Sequence, residues 1–236
     1  MKIEDVRKAL WDDVTHVLID MDGTLLDKYF DDYFWSRLVP EKYAGKNGIS
    51  FDGARDLLFS KYRQHERTLN WTDIDFWSGE LGLDIPALKE QIKHLIDVHP
   101  YVEEFLSLLK EHNKKVIMAT NAHYKTVALK MKKTRIGHYF DRIVTSVDMG
   151  CPKEHIPFWE RAEKVAGFNR DKTMFIDDTE EVLQTAKRFG IRYIVFKSLA
   201  SSKEPPGNSN SFVNIKRFKE LFPSTDGHSK AGKPAS

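Results

Sequence analysis

Two aspartates stand two residues apart directly after an apolar run, in the segment HVLIDMDGT. The run 17–19 has the pattern of a buried strand, and Gly23 allows the sharp turn that ends it. Asp20 and Asp22 would project together beyond the carboxyl end of this strand, where open α/β sheets bind ligands. Carboxylates held so close repel each other, and a cation, a proton or a lysine relieves that repulsion. The pair indicates a catalytic or metal-binding turn, and a solvated turn with two ordinary aspartates is the simpler alternative.

Strands and helices alternate through the second half of the chain, which predicts a parallel sheet with right-handed crossovers. The predicted strands are 17–19, 115–120, 142–147, 173–177 and 193–197. The predicted helices are 1–13, 102–111, 123–133, 155–166 and 180–189. This alternation is typical of an α/β fold with a doubly wound parallel sheet.

The segment 28–98 differs from the rest, because it is aromatic, charged and helical in pattern, with no strand signal. Structureless loops longer than about 15 residues are uncommon, so we predict an inserted all-helical cap. The predicted domains are an α/β core, a helical cap, a linker with a C-terminal amphipathic helix, and a disordered tail. Their ranges are 1–27 with 99–199, 28–98, 200–223 and 224–236, respectively.

The segment DMDGTLLD resembles motif I of the haloacid dehalogenase-like (HAD) hydrolases. Thr120 at the end of VIMAT resembles motif II, Lys153 resembles motif III, and the pair that ends TMFIDD resembles motif IV. Pro152 precedes Lys153, whereas the family often has the order Lys-Pro. The resemblance covers about residues 14–197. It implies a strand order of 5-4-1-2-3 and a helical cap that closes over the active site.

The resemblance implies phosphoryl transfer through a covalent aspartyl-phosphate. Asp20 matches the family nucleophile, and Asp22 matches the general acid/base that protonates the leaving oxygen and then activates water. Thr120 and Asn121 would bind the transferring phosphoryl group. Lys153 would offset negative charge on both Asp20 and the phosphate.

Magnesium is the cofactor that the resemblance implies, because Mg²⁺ prefers carboxylate and phosphate oxygens. Its ligands would be Asp20, the backbone carbonyl of Asp22, and Asp178, with Asp177 assisting from behind them. Glu180 and Glu181 are interpreted instead as ordinary solvated acids of a helix N-terminus, where the helix dipole favours them.

The segments FDDYFWSRLVPE, AGKNG, TLNW, MATNAH, PKE and FIDDTE are similar to the bacterial GMP/IMP 5′-nucleotidase subgroup of this family. This similarity implies hydrolysis of purine nucleoside monophosphates. Lys46 and Asn47, in a polar turn of the cap, are candidate substrate contacts. At most one or two of the cap aromatics are expected to reach a ligand, and the others to pack in the cap core. These aromatics are Tyr29, Phe30, Tyr33, Phe34, Trp35, Tyr43, Trp71, Phe76 and Trp77.

Asp22 also narrows the reaction within the family. Dehalogenase-type members lack an aspartate at this position, and the transport ATPases carry Asp-Lys-Thr-Gly-Thr, so a phosphatase or phosphomutase is expected. A sugar-phosphate phosphatase or a β-phosphoglucomutase-like enzyme is the alternative. A non-catalytic interaction protein on the same scaffold is a more remote one, since residues competent for catalysis fill all four motifs.

The composition excludes several other classes of protein. Acidic and basic residues nearly balance, with a net charge of +2, so neither a nucleic-acid polymer nor a membrane surface is an expected partner. The single cysteine, Cys151, excludes an internal disulfide framework and fits a reducing compartment. No signal-peptide pattern and no apolar run near the ~20 residues of a membrane span are present. We therefore expect a cytoplasmic monomer or small homo-oligomer that acts on a small phosphate ester.

Overall fold

Six parallel strands form a single sheet in the computed structural model, which describes residues 2–223. Their order is β3-β2-β1-β4-β5-β6, so β1 lies at the centre with β2 and β4 beside it. The predicted order of the first five strands is confirmed, and β6 extends the sheet beyond β5. The strands are β1 His16–Ile19, β2 Lys115–Thr120, β3 Arg142–Thr145, β4 Thr173–Asp177, β5 Tyr193–Lys197 and β6 Val213–Ile215.

Helices cover both faces of the sheet, which confirms the doubly wound α/β architecture. Because side chains of a strand alternate between faces, Val17 and Ile19 join one apolar cluster and Leu18 joins the other. The first cluster lies under α1 (Ile3–Asp12), α7 (Val102–Glu111) and α8 (Tyr124–Thr134). The second lies under α10 (Ile156–Ala166) and α11 (Glu180–Phe189).

The chain between β1 and α7 is helical, and this helical segment is referred to below as the cap. Its helices are α2 Tyr29–Tyr33, α3 Val39–Asn47, α4 Phe51–His65, α5 Ile74–Leu81 and α6 Ile85–Gln91. A π-helical turn at Phe34–Leu38 joins α2 to α3. Trp77 is buried in the cap with its ring edge-on to those of Trp35 and Tyr62. The apolar side chains of the cap and of one sheet face form one continuous cluster.

The predicted C-terminal amphipathic helix is wrong in its first half. Val213–Ile215 forms β6, which pairs in parallel with β5, and Ser198 donates its backbone N–H to the Ile215 carbonyl at 2.8 Å. The unpaired edge of β5 offers backbone hydrogen bonds that an isolated short helix does not satisfy as well. Only Phe218–Leu221 is helical, as a 3₁₀ turn packed against α1. The predicted tail at 224–236 lies outside the described residues.

The third strand ends two residues earlier than predicted. The Thr145 hydroxyl accepts a hydrogen bond from the Asp148 backbone N–H at 3.1 Å and thereby starts a short helix, α9 (Ser146–Met149). The sequence from Ser146 to Val147 therefore turns away from the sheet instead of extending it. None of the helices found within residues 2–223 is both long and apolar enough to cross a membrane.

His99 connects the loop after β1 to the segment after β5, and it makes the stability of the fold depend on pH. Its backbone N–H donates to the Leu25 carbonyl at 3.0 Å, and its Nε2–H donates to the Ala200 carbonyl at 3.1 Å. Burial, with nearby Lys197, lowers the pKa of His99 from 6.5 to about 4. Between pH 6.5 and about pH 4, His99 is therefore mostly protonated in the unfolded chain and mostly neutral in the folded chain.

We expect His99 to lower the free energy of unfolding by up to roughly 3 kcal/mol as the pH falls between these two pKa values. Urea unfolding of the wild type and of His99→Gln across this range measures the effect. Because glutamine does not titrate, the stability difference between the two proteins should change in favour of the variant as the pH falls. A difference that is independent of pH would contradict the assignment.

Candidate active site

The two aspartates of the first motif lie at the carboxyl end of the central strand. The Asp20 backbone N–H still pairs with the Ile176 carbonyl of β4, at 3.0 Å, and the chain then leaves the sheet. Gly23 follows with φ 86°, and a Cβ atom there would lie 2.3 Å from the Asp178 carboxylate. Only glycine allows this close approach, which brings the motif I backbone against the end of β4.

Lys153 reaches the same point from the loop after α9. Its Nζ lies 2.5 Å from Asp20 Oδ1 and 2.6 Å from Asp177 Oδ2, and its side chain is 4% exposed. The Trp159 indole donates to the Lys153 carbonyl at 2.8 Å, which anchors the loop. The two carboxylates outweigh the cost of burial and raise the pKa of Lys153 above its ordinary value. The ammonium group therefore stays charged and offsets two buried anions.

Three carboxylates crowd together around this lysine. Burial raises the pKa of Asp20 to about 7, with further upward contributions from Asp177 and Asp22, although Lys153 opposes them. Burial and the charge of Asp20 likewise raise the pKa of Asp178 to about 7, and burial raises that of Asp177 to about 6. One lysine does not neutralise three carboxylates, so the site favours an additional cation.

The donor set fits a metal ion with oxygen ligands. One carboxylate oxygen each from Asp20, Asp177 and Asp178 lies within 4.8 Å of the other two. Asp177 already accepts from Lys153 through Oδ2 and from the Thr179 backbone N–H through Oδ1, at 2.7 Å. Asp20 and Asp178 therefore have the carboxylate oxygens available to a metal, and Asp177 orients Lys153 behind them.

The second motif brings Thr120 and Asn121 to the same cavity. Thr120 is buried at the end of β2, and its hydroxyl accepts from the Ala122 N–H at 3.0 Å, so its own proton remains available. The Asn121 side chain instead forms hydrogen bonds with Lys153 and its neighbour Glu154. Its Oδ1 accepts from the Lys153 N–H at 2.9 Å and its Nδ2 donates to Glu154 at 2.9 Å. Asn121 therefore positions Lys153, although it also lines the cavity.

A cavity of about 650 Å³ extends from these residues into the cap. Its floor carries Asp20, Asp22, Thr120, Lys153 and Asp178. Its cap wall is aromatic and includes three of the nine aromatics considered from sequence, together with two that were missed. These are Trp35, Trp71 and Trp77, and Phe59 and Tyr62. Charged side chains of the cap, among them Asp31, Arg63 and Glu66, line the cavity as well. The cavity thus joins the acidic floor to a cap wall that carries an aromatic cluster.

Asp22 has a lysine partner that sequence reasoning missed. Lys130, on α8, places Nζ 2.5 Å from Asp22 Oδ1 and 2.5 Å from Asp31 Oδ2. Burial raises the pKa of Asp22, although Lys130 opposes this shift. The available signal was periodicity: Lys130 follows Val127 by three residues and Thr126 by four, so it lies on the buried face of the helix.

A match to a protein-family model identifies the family of this chain. The family model for haloacid dehalogenase-like hydrolases matches residues 14–190. The chain belongs to the HAD-like hydrolases. It is an enzyme of this superfamily and of its phosphatase type, as the second aspartate of motif I also indicates.

Proteins similar to this chain support its assignment to the HAD-like hydrolases. The GMP/IMP nucleotidase YrfG of Escherichia coli (strain K12) is 36% identical over 214 residues, which cover 91% of this chain and 96% of YrfG. A phosphoglycolate phosphatase of Pseudomonas savastanoi pv. phaseolicola is 24% identical over a region that covers 88% of this chain and 78% of the phosphatase. A HAD phosphatase from Thermococcus onnurineus has the same fold, with a TM-score of 0.74, 24% identity, and coverage of 88% and 96%.

Two residues predicted to contact the substrate, Lys46 and Asn47, do not lie at the cavity. Lys46, near the end of α3, donates from Nζ to the carbonyls of Leu81 and Gly82, at 3.2 and 2.6 Å. Asn47 donates to the Tyr43 carbonyl at 2.8 Å. Neither side chain lines the cavity. The prediction is corrected, because both polar groups bond backbone within the cap instead of facing motif I.

The acids that open α11 also lie away from the floor of the HAD site. Glu180 and Glu181 occupy the first turn of the helix, and neither lines the cavity. Glu181 pairs with Arg67 of the cap at 3.1 Å, with both side chains largely exposed. This position agrees with their interpretation as acids of a helix N-terminus.

Proposed function

We propose that the protein is a magnesium-dependent 5′-nucleotidase that hydrolyses purine nucleoside monophosphates such as GMP and IMP. The observation that carries the proposal is the cavity, because it joins the Asp20–Lys153 pair to an aromatic wall in the cap. A nucleoside monophosphate suits such a cavity, because it has a dianionic phosphate at one end and a flat aromatic base at the other. The name and 36% identity of the GMP/IMP nucleotidase from E. coli support the choice of purine.

In the first step, an Asp20 carboxylate oxygen attacks phosphorus, and the bond from phosphorus to the 5′ oxygen breaks. Asp22 gives its proton to this leaving oxygen, so the nucleoside departs as a neutral alcohol. The Thr120 hydroxyl donates to a phosphoryl oxygen, and the Lys153 ammonium offsets the charge that gathers on the phosphoryl group. The product of the step is an aspartyl-phosphate on Asp20.

In the second step, Asp22 accepts a proton from water, and the water oxygen attacks phosphorus. The bond between phosphorus and Asp20 breaks, which releases inorganic phosphate and restores both aspartates. Asp20, Asp178 and the backbone carbonyl of Asp22 would hold Mg²⁺. When bound, it would offset negative charge on the phosphoryl oxygens.

Two unpartnered hydroxyls support hydrogen bonding of the substrate in the cavity. The Tyr62 phenol and the Thr126 hydroxyl are buried, line the cavity and have no hydrogen-bond partner within residues 2–223. A buried polar group without a partner costs free energy, and a substrate that pairs with it recovers that cost. Trp71 also lines the cavity, with 6.3 Å between its ring centroid and that of Tyr62, and it would supply aromatic surface to a base.

Phosphate release with Mg²⁺ from GMP, IMP, AMP, pyrimidine nucleotides and sugar phosphates tests the proposal, with Asp20→Asn as the blank. We expect GMP and IMP to have the highest kcat/KM values and chelation of the metal to abolish the activity. In Tyr62→Phe, kcat/KM for GMP should fall roughly tenfold, the value of about one hydrogen bond, with no change for p-nitrophenyl phosphate. Turnover of generic esters without phosphate from GMP or IMP would contradict the substrate assignment.

A further inference from the structure

Two lysines outside the four family motifs are buried at the boundary between the cap and the core. Lys130 belongs to α8 of the core, and its side chain is 1% exposed. Lys89 belongs to α6 of the cap, and its side chain is 3% exposed. Lysine is almost never buried to this degree without a partner, so each ammonium group requires a carboxylate beside it.

The partners of these lysines form one continuous chain of ion pairs that ends at Asp22. Lys89 Nζ lies 2.9 Å from Asp31 Oδ1, and Lys130 Nζ lies 2.5 Å from the other oxygen of Asp31. Lys130 Nζ also lies 2.5 Å from Asp22 Oδ1. The charges therefore alternate from the cap to the catalytic aspartate in the order Lys89, Asp31, Lys130, Asp22.

Fold stability alone does not account for this arrangement. A buried ion-pair network generally contributes no more to stability than apolar side chains of similar volume would. Lys89 already lies 4.5 Å from the centroid of the Phe34 ring and 5.0 Å from that of Phe30, in an apolar aromatic setting that methionine or leucine would suit. The network is instead continuous with the cavity, because Asp22, Asp31 and Lys89 all line it.

We propose that Lys130 is a positioning residue for Asp22, and that Asp31 holds Lys130 in place when the cap is seated as it is here. The contact with Lys130 restrains Asp22 Oδ1, so the carboxyl group cannot rotate freely. Asp22 Oδ2 has no hydrogen-bond partner within the described part of the chain and is left for proton exchange. This inference rests on the proposed role of Asp22 in phosphoryl transfer.

Asp31 connects the cap to Lys130 of the core. Asp31 is on α2, Lys89 is on α6, and Lys130 is on α8, so the bridge spans cap and core. A cap that moves away separates Asp31 from Lys130, and Lys130 then has a single carboxylate to hold it. Proton transfer by Asp22 is thereby coupled to cap position, since the orientation of a catalytic group strongly affects rate.

The test is a comparison of two substrates with different leaving groups, using the full chain and saturating Mg²⁺. The 5′ alcohol of GMP needs a proton to leave, whereas p-nitrophenol leaves well as an anion and needs none. In Lys130→Met we expect kcat/KM for GMP to fall on the order of 100-fold, as for a misplaced catalytic group. The value for p-nitrophenyl phosphate should change little. Lys132→Met, an exposed lysine of the same helix, is the matched control.

Asp31→Asn provides a second variant that retains Lys130, so the test does not depend on the folding of Lys130→Met. We expect the same selective loss on GMP, to a smaller extent, because Lys130 keeps its contact with Asp22. Equal losses on both substrates, or no loss on either, would overturn the positioning role. A wild-type protein that releases no phosphate from either substrate would instead contradict the proposed function itself.

Discussion

Replacement of Asp20 by asparagine is expected to abolish phosphate release, with a fall in kcat of about four orders of magnitude or more. Asparagine has nearly the same shape as aspartate, but its amide is a poor nucleophile and forms no acyl-phosphate with the substrate. Phosphate release with GMP and Mg²⁺ measures the loss. Transfer of radiolabelled phosphate to the protein should be detectable in the wild type after acid quenching and absent in the variant.

The same variant should be at least as stable as the wild type in metal-free buffer. The ionised form of Asp20 costs folding free energy at neutral pH, because burial and neighbouring carboxylates raise its pKa to about 7. Asparagine carries no charge, and Lys153 keeps its contact with Asp177 at 2.6 Å. Thermal unfolding without metal measures this effect, and it separates loss of chemistry from loss of fold.

Asp56→Asn is the matched control, since Asp56 lies on α4 of the cap with its side chain 75% exposed and does not line the cavity. Both its activity and its Tm should equal those of the wild type. An Asp20→Asn protein that remains folded and retains a substantial part of its activity would contradict the nucleophile assignment. A second candidate nucleophile would then be required.

The sequence predicted the parts of this structure that depend on local pattern and chain order. The run 17–19 is apolar and contains β-branched residues, so it predicted the strand that lies at the centre of the sheet. The acids that follow it predicted a candidate site at the carboxyl end of that strand. The strand 173–177 and the helix 180–189 were predicted with their observed bounds. Lys153 was predicted from its resemblance to motif III of the family, and its Nζ contacts Asp20 at 2.5 Å.

The parts that were missed depend on contacts between residues far apart in the chain. Lys130 pairs with Asp22 and Asp31 across 108 and 99 residues, and no local pattern encodes those distances. Helix α8 carries three lysines near its end, Lys130, Lys132 and Lys133. Only their positions relative to the buried face of the helix distinguish Lys130, which is buried. Strand β6 was missed for a similar reason, because its pairing depends on the exposed edge of β5.

Replacement of Lys153 by methionine is expected to reduce both activity and stability, in contrast to Asp20→Asn. The kcat for GMP should fall on the order of 10³-fold even with Mg²⁺ present, because the Lys153 ammonium then no longer offsets charge on Asp20 and the phosphoryl group. The free energy of unfolding should fall by about 3–5 kcal/mol in metal-free buffer, because Asp20 and Asp177 lose the partner that both contact. Steady-state kinetics and urea unfolding measure the two effects.

Lys164→Met is the matched control, since Lys164 is an exposed residue of α10, and it should change neither quantity. The double variant Asp20→Asn, Lys153→Met separates charge balance from packing. If uncompensated buried carboxylate causes the instability of Lys153→Met, removing the Asp20 charge should restore part of the lost stability and none of the activity. A double variant as unstable as Lys153→Met alone would show that lost packing, not lost charge balance, is the cause. The role of Lys153 would then rest on its catalytic effect.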